Sequence, residues 1–349
     1  MRARRGLREE AVLTDSLKHG RTLSSKELGR IICSIKKSSN FWRIVELSRQ
    51  PLPVVAEVLS SLIDKGYLRV DDGRVLFSKD LSGLDLQDTV DFDESRCRGC
   101  NGRGLDMDRY SDLLKRFREI AKARPSALRE FDQGFVSEET TIARVALMHR
   151  WADIKGKEIV LIGDDDLLSI GLWLTGMPER IVVLEIDERL TSFIRDVTGG
   201  TVEVRGYDVR RPLPEDLVGA FDVFFTDPTE SLEGFKVFAL RGMLSLRGDG
   251  AGYFGLTRVE ASLNKWYEIQ GFLHQCGFVI TDIIDEFNHY QDWDYYQDTR
   301  AYSIAPVKIE PIPYWYKSSQ IRIERVIERD LDNSEVTGLI YFDEESSTV

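Results

Sequence analysis

The sequence contains no apolar run approaching the ~18 residues that a membrane-spanning helix requires. Its arginine-rich start, Met1 to Arg8, also lacks the apolar segment of a secretory signal. The expected compartment is the cytoplasm, with no membrane partner. Positive charge is in short supply too: 47 Lys and Arg stand against 59 Asp and Glu, a net charge of −12. Such a surface repels polyanions and attracts cations, which disfavours nucleic acid as a substrate, although plain solubility accounts for many acidic chains. Cysteine is scarce. The four thiols, Cys33, Cys97, Cys100 and Cys276, read as reduced in such a compartment.

Cys97-Arg98-Gly99-Cys100 has the spacing at which two thiolates reach one tetrahedral ion, yet it supplies only half a site. Cys33 and Cys276 fall in contexts that read as helical and buried. The alternative to a metal is a loop pair, with an exposed disulfide as one form of it. No metal ligands are assigned.

At ~150 residues per domain, 349 residues suggest two domains. Ser24-Ser25-Lys26-Glu27 is a capping-box start, Asn40 to Leu47 has helical apolar spacing, and Pro53 opens a third helix. Tyr67 to Val70 and Val75 to Phe77 then alternate around Asp71-Asp72-Gly73, a hairpin. This is a winged-helix pattern over residues 1–80. The helix from Pro53 to Lys65 carries Glu57, Asp64 and one lysine, so it lacks the cations that phosphate contacts need. A structural or dimerising role is favoured over DNA binding. Residues 81–110 read as a polar connector holding the cysteine pair.

Residues 111–310 read as a Rossmann-like catalytic domain, an α/β fold with a doubly wound, methyltransferase-type parallel sheet. Strands are expected at Glu158–Ile162, Ile181–Leu184, Val202–Val204, Phe221–Thr226, Gly252–Leu256 and Phe278–Ile284, with helices between them. Phe287 to Tyr316 is rich in tyrosine, tryptophan and aspartate, and 311–349 reads as a C-terminal tail whose last residues, Glu344 to Val349, fray.

Ligands of doubly wound folds sit outside the carboxyl ends of the strands. Those ends are acidic here. Glu185 lies 22 residues after Gly163, near the spacing at which a carboxylate reaches ribose hydroxyls, and Glu185-Ile186-Asp187 closes its strand. Asp208 is placed to accept from an adenine amino group. The first loop, Gly163-Asp164-Asp165-Asp166, lacks the glycines a pyrophosphate needs and puts three carboxylates in its way. It favours a cationic ligand, an S-adenosyl compound with its sulfonium and amine; magnesium held by the aspartates is the alternative. Crowding raises at least one of their pKa values, which suits a general base toward an amine. Asp227-Pro228-Thr229-Glu230 resembles the Asp-Pro-Pro-Tyr loop of amino methyltransferases but has no aromatic, which fits a cationic amine better than a nucleobase.

Taken with Phe131-Asp132-Gln133-Gly134-Phe135-Val136 and Lys265-Trp266-Tyr267-Glu268-Ile269-Gln270, these features resemble the branched-chain polyamine synthase family, the N(4)-bis(aminopropyl)spermidine synthases of archaea and thermophiles. The resemblance implies aminopropyl transfer from decarboxylated S-adenosylmethionine, a co-substrate, to the secondary amine of spermidine, with methylthioadenosine released. No resident cofactor is implied; a homodimer is. Glu185 would hold ribose, Ile186 would pack on adenine beside Asp187, and Asp208 would bind its amino group. Asp166 would hold the donor's amine, Asp165 or Asp227 would orient and deprotonate the acceptor, and Asp132 and Gln133 would form a wall. Gly163, Asp164, Pro228 and Glu230 complete the substrate-binding set. Thr229 departs from the second proline of related loops. Two rivals are an S-adenosylmethionine-dependent amino methyltransferase acting on nucleic acid and a non-enzymatic winged-helix sensor of an adenosyl ligand.

Overall fold

The computed structural model describes residues 23–78, 97, 99–291 and 293–348. The arginine-rich start, residues 81–96 and Arg98 of the connector, Asp292 of the aromatic segment and the terminal Val349 lie outside the described residues.

The amino-terminal unit forms as its local signals dictate. Helix α1, Ser25–Lys37, is capped by Ser24, whose side chain accepts from Glu27 N–H while the Glu27 carboxylate accepts from Ser24 N–H. Asn40 caps α2, Phe41–Ser48, and α3 runs from Leu52 to Asp64. Strands β1, Leu68–Asp71, and β2, Arg74–Phe77, pair antiparallel. Asp72 and Gly73 both take positive φ (45° and 69°), the geometry of a tight hairpin turn. The buried face of this unit is continuous with Val259, Tyr290, Trp293, Trp315 and Tyr316 of the second unit. Trp42 packs on Trp315 at 4.7 Å and donates its indole N–H to Ile309 O at 3.1 Å. The winged helix therefore supports the aromatic segment, in line with a structural role.

Helix α4, Ser111–Ala121, and α5, Glu138–Arg150, lead to the main sheet. There follow β3 (Glu158–Ile162), α6 (Leu168–Thr175), β4 (Arg180–Glu185), α7 (Glu188–Thr198), β5 (Glu203–Gly206) and β6 (Phe221–Thr226). Then come α8 (Leu232–Ser245), β7 (Leu246–Thr257), α9 (Leu263–Gln275), β8 (Phe278–His289), α10 (Arg300–Ile304) and β9 (Lys317–Arg325). The strand order is β5-β4-β3-β6-β7-β9-β8. The first five strands are parallel, as expected from buried apolar runs. β9 departs from the all-parallel expectation by inserting antiparallel between β7 and β8. The winding order of these parallel strands reverses between β3 and β6, the switch point whose crevice binds ligands in such sheets.

Residues 311–349 are accordingly not a tail. β9 is an interior strand, and Ile321 and Ile323 are buried in the main core. The expected fraying beyond Glu344 is also corrected: Ser346, Ser347 and Thr348 are buried, and Ser347 Oγ (2.8 Å) and Thr348 N–H (2.8 Å) donate to Glu260. A polar composition suggested solvent, whereas a buried carboxylate supplied the partners those hydroxyl and amide groups require.

Among the described residues no helix is long and apolar enough to cross a membrane. In the sheet, Phe224 is wedged between glycines of α8 and β7: a Cβ at Gly242 would lie 2.3 Å, and one at Gly252 2.1 Å, from its ring. Replacing Gly252 by Ala should destabilise the protein by about 1–3 kcal/mol through overpacking, read as a lower denaturant midpoint with an unchanged slope.

Candidate active site

The ends of β3, β4 and β6 deliver the acidic residues to one place. Gly163 leaves β3 with φ 78° and donates its N–H to Leu184 O at 2.8 Å, tying the first loop to β4. The Glu185 carboxylate accepts from Asp164 N–H and Asp187 N–H, both at 2.9 Å, so one side chain orders the loops after both strands. Burial raises its pKa against those backbone hydrogen bonds.

Two adjoining cavities open here. The first is walled by Gly163, Asp165, Glu185 and Ile186, with Gln133, Tyr207, Phe238 and Tyr341 facing them. The second is walled by Pro228, Glu230, Tyr290, Trp293, Tyr316 and Thr348. Asp132, Asp165, Asp227 and Thr229 line both. The first chamber mixes apolar side chains with the carboxyl groups of Asp132, Asp165, Glu185 and Asp227; the second is acidic and aromatic.

The three aspartates of the first loop have separate fates. Asp164 turns away from both cavities and accepts from the N–H and hydroxyl of Ser169 at the start of α6. Asp166 accepts from Val136 N–H at 2.7 Å and pairs with Arg144 of α5. Only Asp165 faces both chambers, and burial, followed by Asp166, Glu185 and Asp227, pushes its carboxyl well above the usual range. Arg124 opposes that shift and reaches only the Asp165 backbone oxygen, at 3.4 Å.

Arg144 is fully buried, and its second guanidinium nitrogen contacts Asp227 at 2.5 Å. Its Nε donates to Asn288 at 2.9 Å, and Phe225 lies 5.0 Å beneath it. Tyr290 donates its hydroxyl to the same Asp227 oxygen at 2.8 Å. The other Asp227 oxygen sits where a Cβ on Gly255 would come within 2.2 Å, so β7 must carry glycine beside it.

Two further expected binding residues are occupied by protein instead of facing a ligand. Asp187 caps α7 and is held by Arg189 and by Gln133 Nε2 at 3.0 Å. Asp208 is gripped by Arg210, whose hydrogen bonds hold it below the usual carboxylate range, while its neighbours Tyr207 and Val209 form the wall. A carboxylate at a strand end caps the next turn as readily as it meets a ligand.

Several wall residues escape a reading by strand ends. Tyr341 and Thr348 come from the supposed tail. Asp132, in a left-handed conformation at φ 52°, was legible only through the family resemblance, which pairs it with Gln133 as a wall. Arg144 left a signal: an arginine within the apolar run Ile142 to Met148 must find a buried anion. Cys97 and Cys100 are free thiols; hydrogen bonds led by Gly104 N–H lower the pKa of Cys100. Among the described residues no group of three metal-ligating side chains forms.

The comparisons accord with this geometry. Residues 112–348 match the family model described as the branched-chain polyamine synthase A C-terminal domain. The N(4)-bis(aminopropyl)spermidine synthase of Thermococcus kodakarensis is 42% identical over 334 residues, 93% of this chain and 95% of that one. Its Methanocaldococcus jannaschii counterpart is 43% identical over the same coverage. A solved branched-chain polyamine synthase from Thermus thermophilus, in complex with N4-aminopropylspermidine and 5'-methylthioadenosine, is 38% identical, with a TM-score of 0.90 covering 97% of this chain and 99% of that one.

Burial, with Glu260 next, pushes Asp132 up to about 8. A folded pKa above the ordinary 3.8 means that protonation stabilises the fold: the contribution is full below pH ~4 and is lost as pH rises through 8. Asp132→Asn, which tolerates the left-handed conformation, should raise the denaturation midpoint of ligand-free protein at pH 8 and change it little at pH 4. An equal effect at both pH values would contradict this assignment.

Proposed function

The chain belongs to the branched-chain polyamine synthase family and is an aminopropyltransferase, and from that premise we propose how its two cavities divide the reaction. The observation that carries the reading is their junction: a chamber walled by Glu185, Ile186 and apolar side chains meets an acidic, aromatic chamber at Asp165 and Asp227.

Decarboxylated S-adenosylmethionine is the donor and spermidine the acceptor. The adenosyl part occupies the first chamber, with ribose hydroxyls on Glu185 and adenine against Ile186. The polyamine lies in the second, its ammonium groups near Glu230 and Asp132 and its chain along Tyr290, Trp293 and Tyr316, where cation–π attraction adds to ion pairing. The aspartates that line both chambers then flank the sulfonium and the secondary amine.

The acceptor nitrogen attacks the aminopropyl carbon bonded to sulfur. The new C–N bond forms as the C–S bond breaks, and the electron pair leaves with sulfur as neutral methylthioadenosine. A neutral leaving group needs no electrophilic assistance, so the protein aligns reactants, balances ammonium charge and removes one proton. Asp165 is the best-placed acceptor for that proton: it faces both chambers and makes no side-chain ion pair among those described. Its raised pKa makes it a stronger base than an exposed carboxylate, and arrival of a polycation favours its ionised form. The acidic second chamber and the net charge of −12 support a polyamine over a nucleic-acid acceptor.

Incubation with spermidine and decarboxylated S-adenosylmethionine should yield methylthioadenosine and branched polyamines by chromatography; absence of methylthioadenosine would overturn the reading. Asp165→Asn should lower kcat by about 10²-fold or more with little change in methylthioadenosine affinity. Wild-type turnover in that variant would remove Asp165 from the base role.

A further inference from the structure

We propose that Arg144 is the positioning residue of this site: by clamping Asp166 and Asp227 together, it holds the loops after β3 and β6 in register and leaves Asp165 as the carboxyl that exchanges a proton. The inference rests on the functional reading above and assigns a role to a residue that does not line either cavity.

The geometry is specific. Both terminal guanidinium nitrogens are used, one on Asp166 and one on Asp227 at 2.5 Å, and Nε is used on Asn288 at 2.9 Å. This planar fork bridges loops after two different strands, β3 and β6, from a helix packed behind them. A lysine, with one point charge, cannot span both. Both Asp166 oxygens are thereby occupied, since Val136 N–H takes the other. Asp227 keeps its other oxygen clear of Arg144 and Tyr290, beside Gly255 of β7. The groups facing the clamp are Asp166, Asp227, Tyr290 and, as the nearby cation, Arg103; those facing Asp165 are Asp166, Glu185, Asp227 and Arg124. Arg144 stays protonated despite complete burial because Asp227 and Asp166 raise its pKa.

A purely structural arginine would leave the protonation of Asp165 untouched. The proposed one would not. Without the cation, the negative charge of Asp166 and Asp227 acts on Asp165 uncompensated, or those two carboxyls themselves bind protons; in either case proton uptake by the cluster moves to higher pH.

The test measures spermidine binding by calorimetry across pH, alongside kcat, for wild type, Arg144→Gln, Arg144→Lys and the double variant Arg144→Gln/Asp166→Asn. Wild-type spermidine affinity should fall on the acid side as Asp165 becomes protonated. Arg144→Gln should shift that acid limb upward by about one pH unit and lower kcat at least tenfold. Arg144→Lys should shift it less while also losing kcat, and the double variant should recover part of the shift. If Arg144→Gln does not fold, Arg144→Lys and the double variant decide the matter. An acid limb that matches wild type in the folded variants would overturn the proposal. A wild type that binds spermidine with no acid limb would overturn it too. A wild type that does not bind spermidine at all would instead refute the functional reading.

Discussion

The site depends on placing several carboxyl groups within one enclosed volume. Asp132, Asp165, Asp227, Glu185 and Glu230 line the two chambers, with Asp166 behind them on Arg144, and unpaired ionised carboxylates in such a place would be strongly destabilising. Arg144 offsets part of that repulsion from inside the core. Because it is fully buried between two charges, it cannot turn away to solvent, and removing one member of such a cluster typically costs about 3–5 kcal/mol. The remaining carboxyls are tolerated in another way: burial raises the pKa of Asp132, Asp165 and Glu230, so that each can sit neutral in the ligand-free protein. A polycation brought against these groups would favour their ionised forms. Recognition of the amine and readiness to accept its proton arise from the same desolvation.

The aromatic wall requires a second support. Tyr290, Trp293, Trp315 and Tyr316 pack edge to face, with ring centroids 5.1–6.0 Å apart, and rest on the winged helix through Trp42. Gly134 fits beneath this cluster because a Cβ there would lie 2.6 Å from Trp293 Nε1. Trp293 and Tyr295 both donate to Gln133 O, at 3.0 and 2.6 Å, and Gln133 in turn donates to Asp187 at the end of β4. The walls of the two chambers are thus joined through one residue. A unit whose pattern suggests DNA recognition serves here to hold an active-site surface.

Local signals carried most of the fold. The Ser24 capping box, the Asp72-Gly73 turn and the apolar runs of β3, β4 and β6 each act within a few residues, and each stands where its chemistry places it. The site was legible where glycine and acidic residues break an apolar strand, which correctly brought Gly163, Asp165, Glu185, Ile186 and Asp227 to one cavity. The same rule could not tell a ligand-facing carboxylate from a capping one. Asp164, Asp187 and Asp208 satisfy Ser169, Arg189 and Arg210, partners that lie only two to five residues away. The segment after Tyr316 was illegible for a different reason. β9 is stable only between β7 and β8, and the polar end is buried only because Glu260 waits for it, both contacts across long sequence separations.

Donor selectivity follows from the same electrostatics. A cavity edged by Glu185 and joined to Asp165, Asp227 and Asp132 carries carboxyl groups around the position of the donor's side chain. Intact S-adenosylmethionine brings a carboxylate of its own, whereas the decarboxylated form brings only cations. Placing like charge in this volume would incur repulsion in addition to desolvation, so exclusion of the commoner methyl donor requires no dedicated steric block. Both donors share the sulfonium, but only the decarboxylated one adds no negative charge to a site already crowded with carboxyl groups. On the proposed reading, the pocket selects its donor by the sign of charge it accepts.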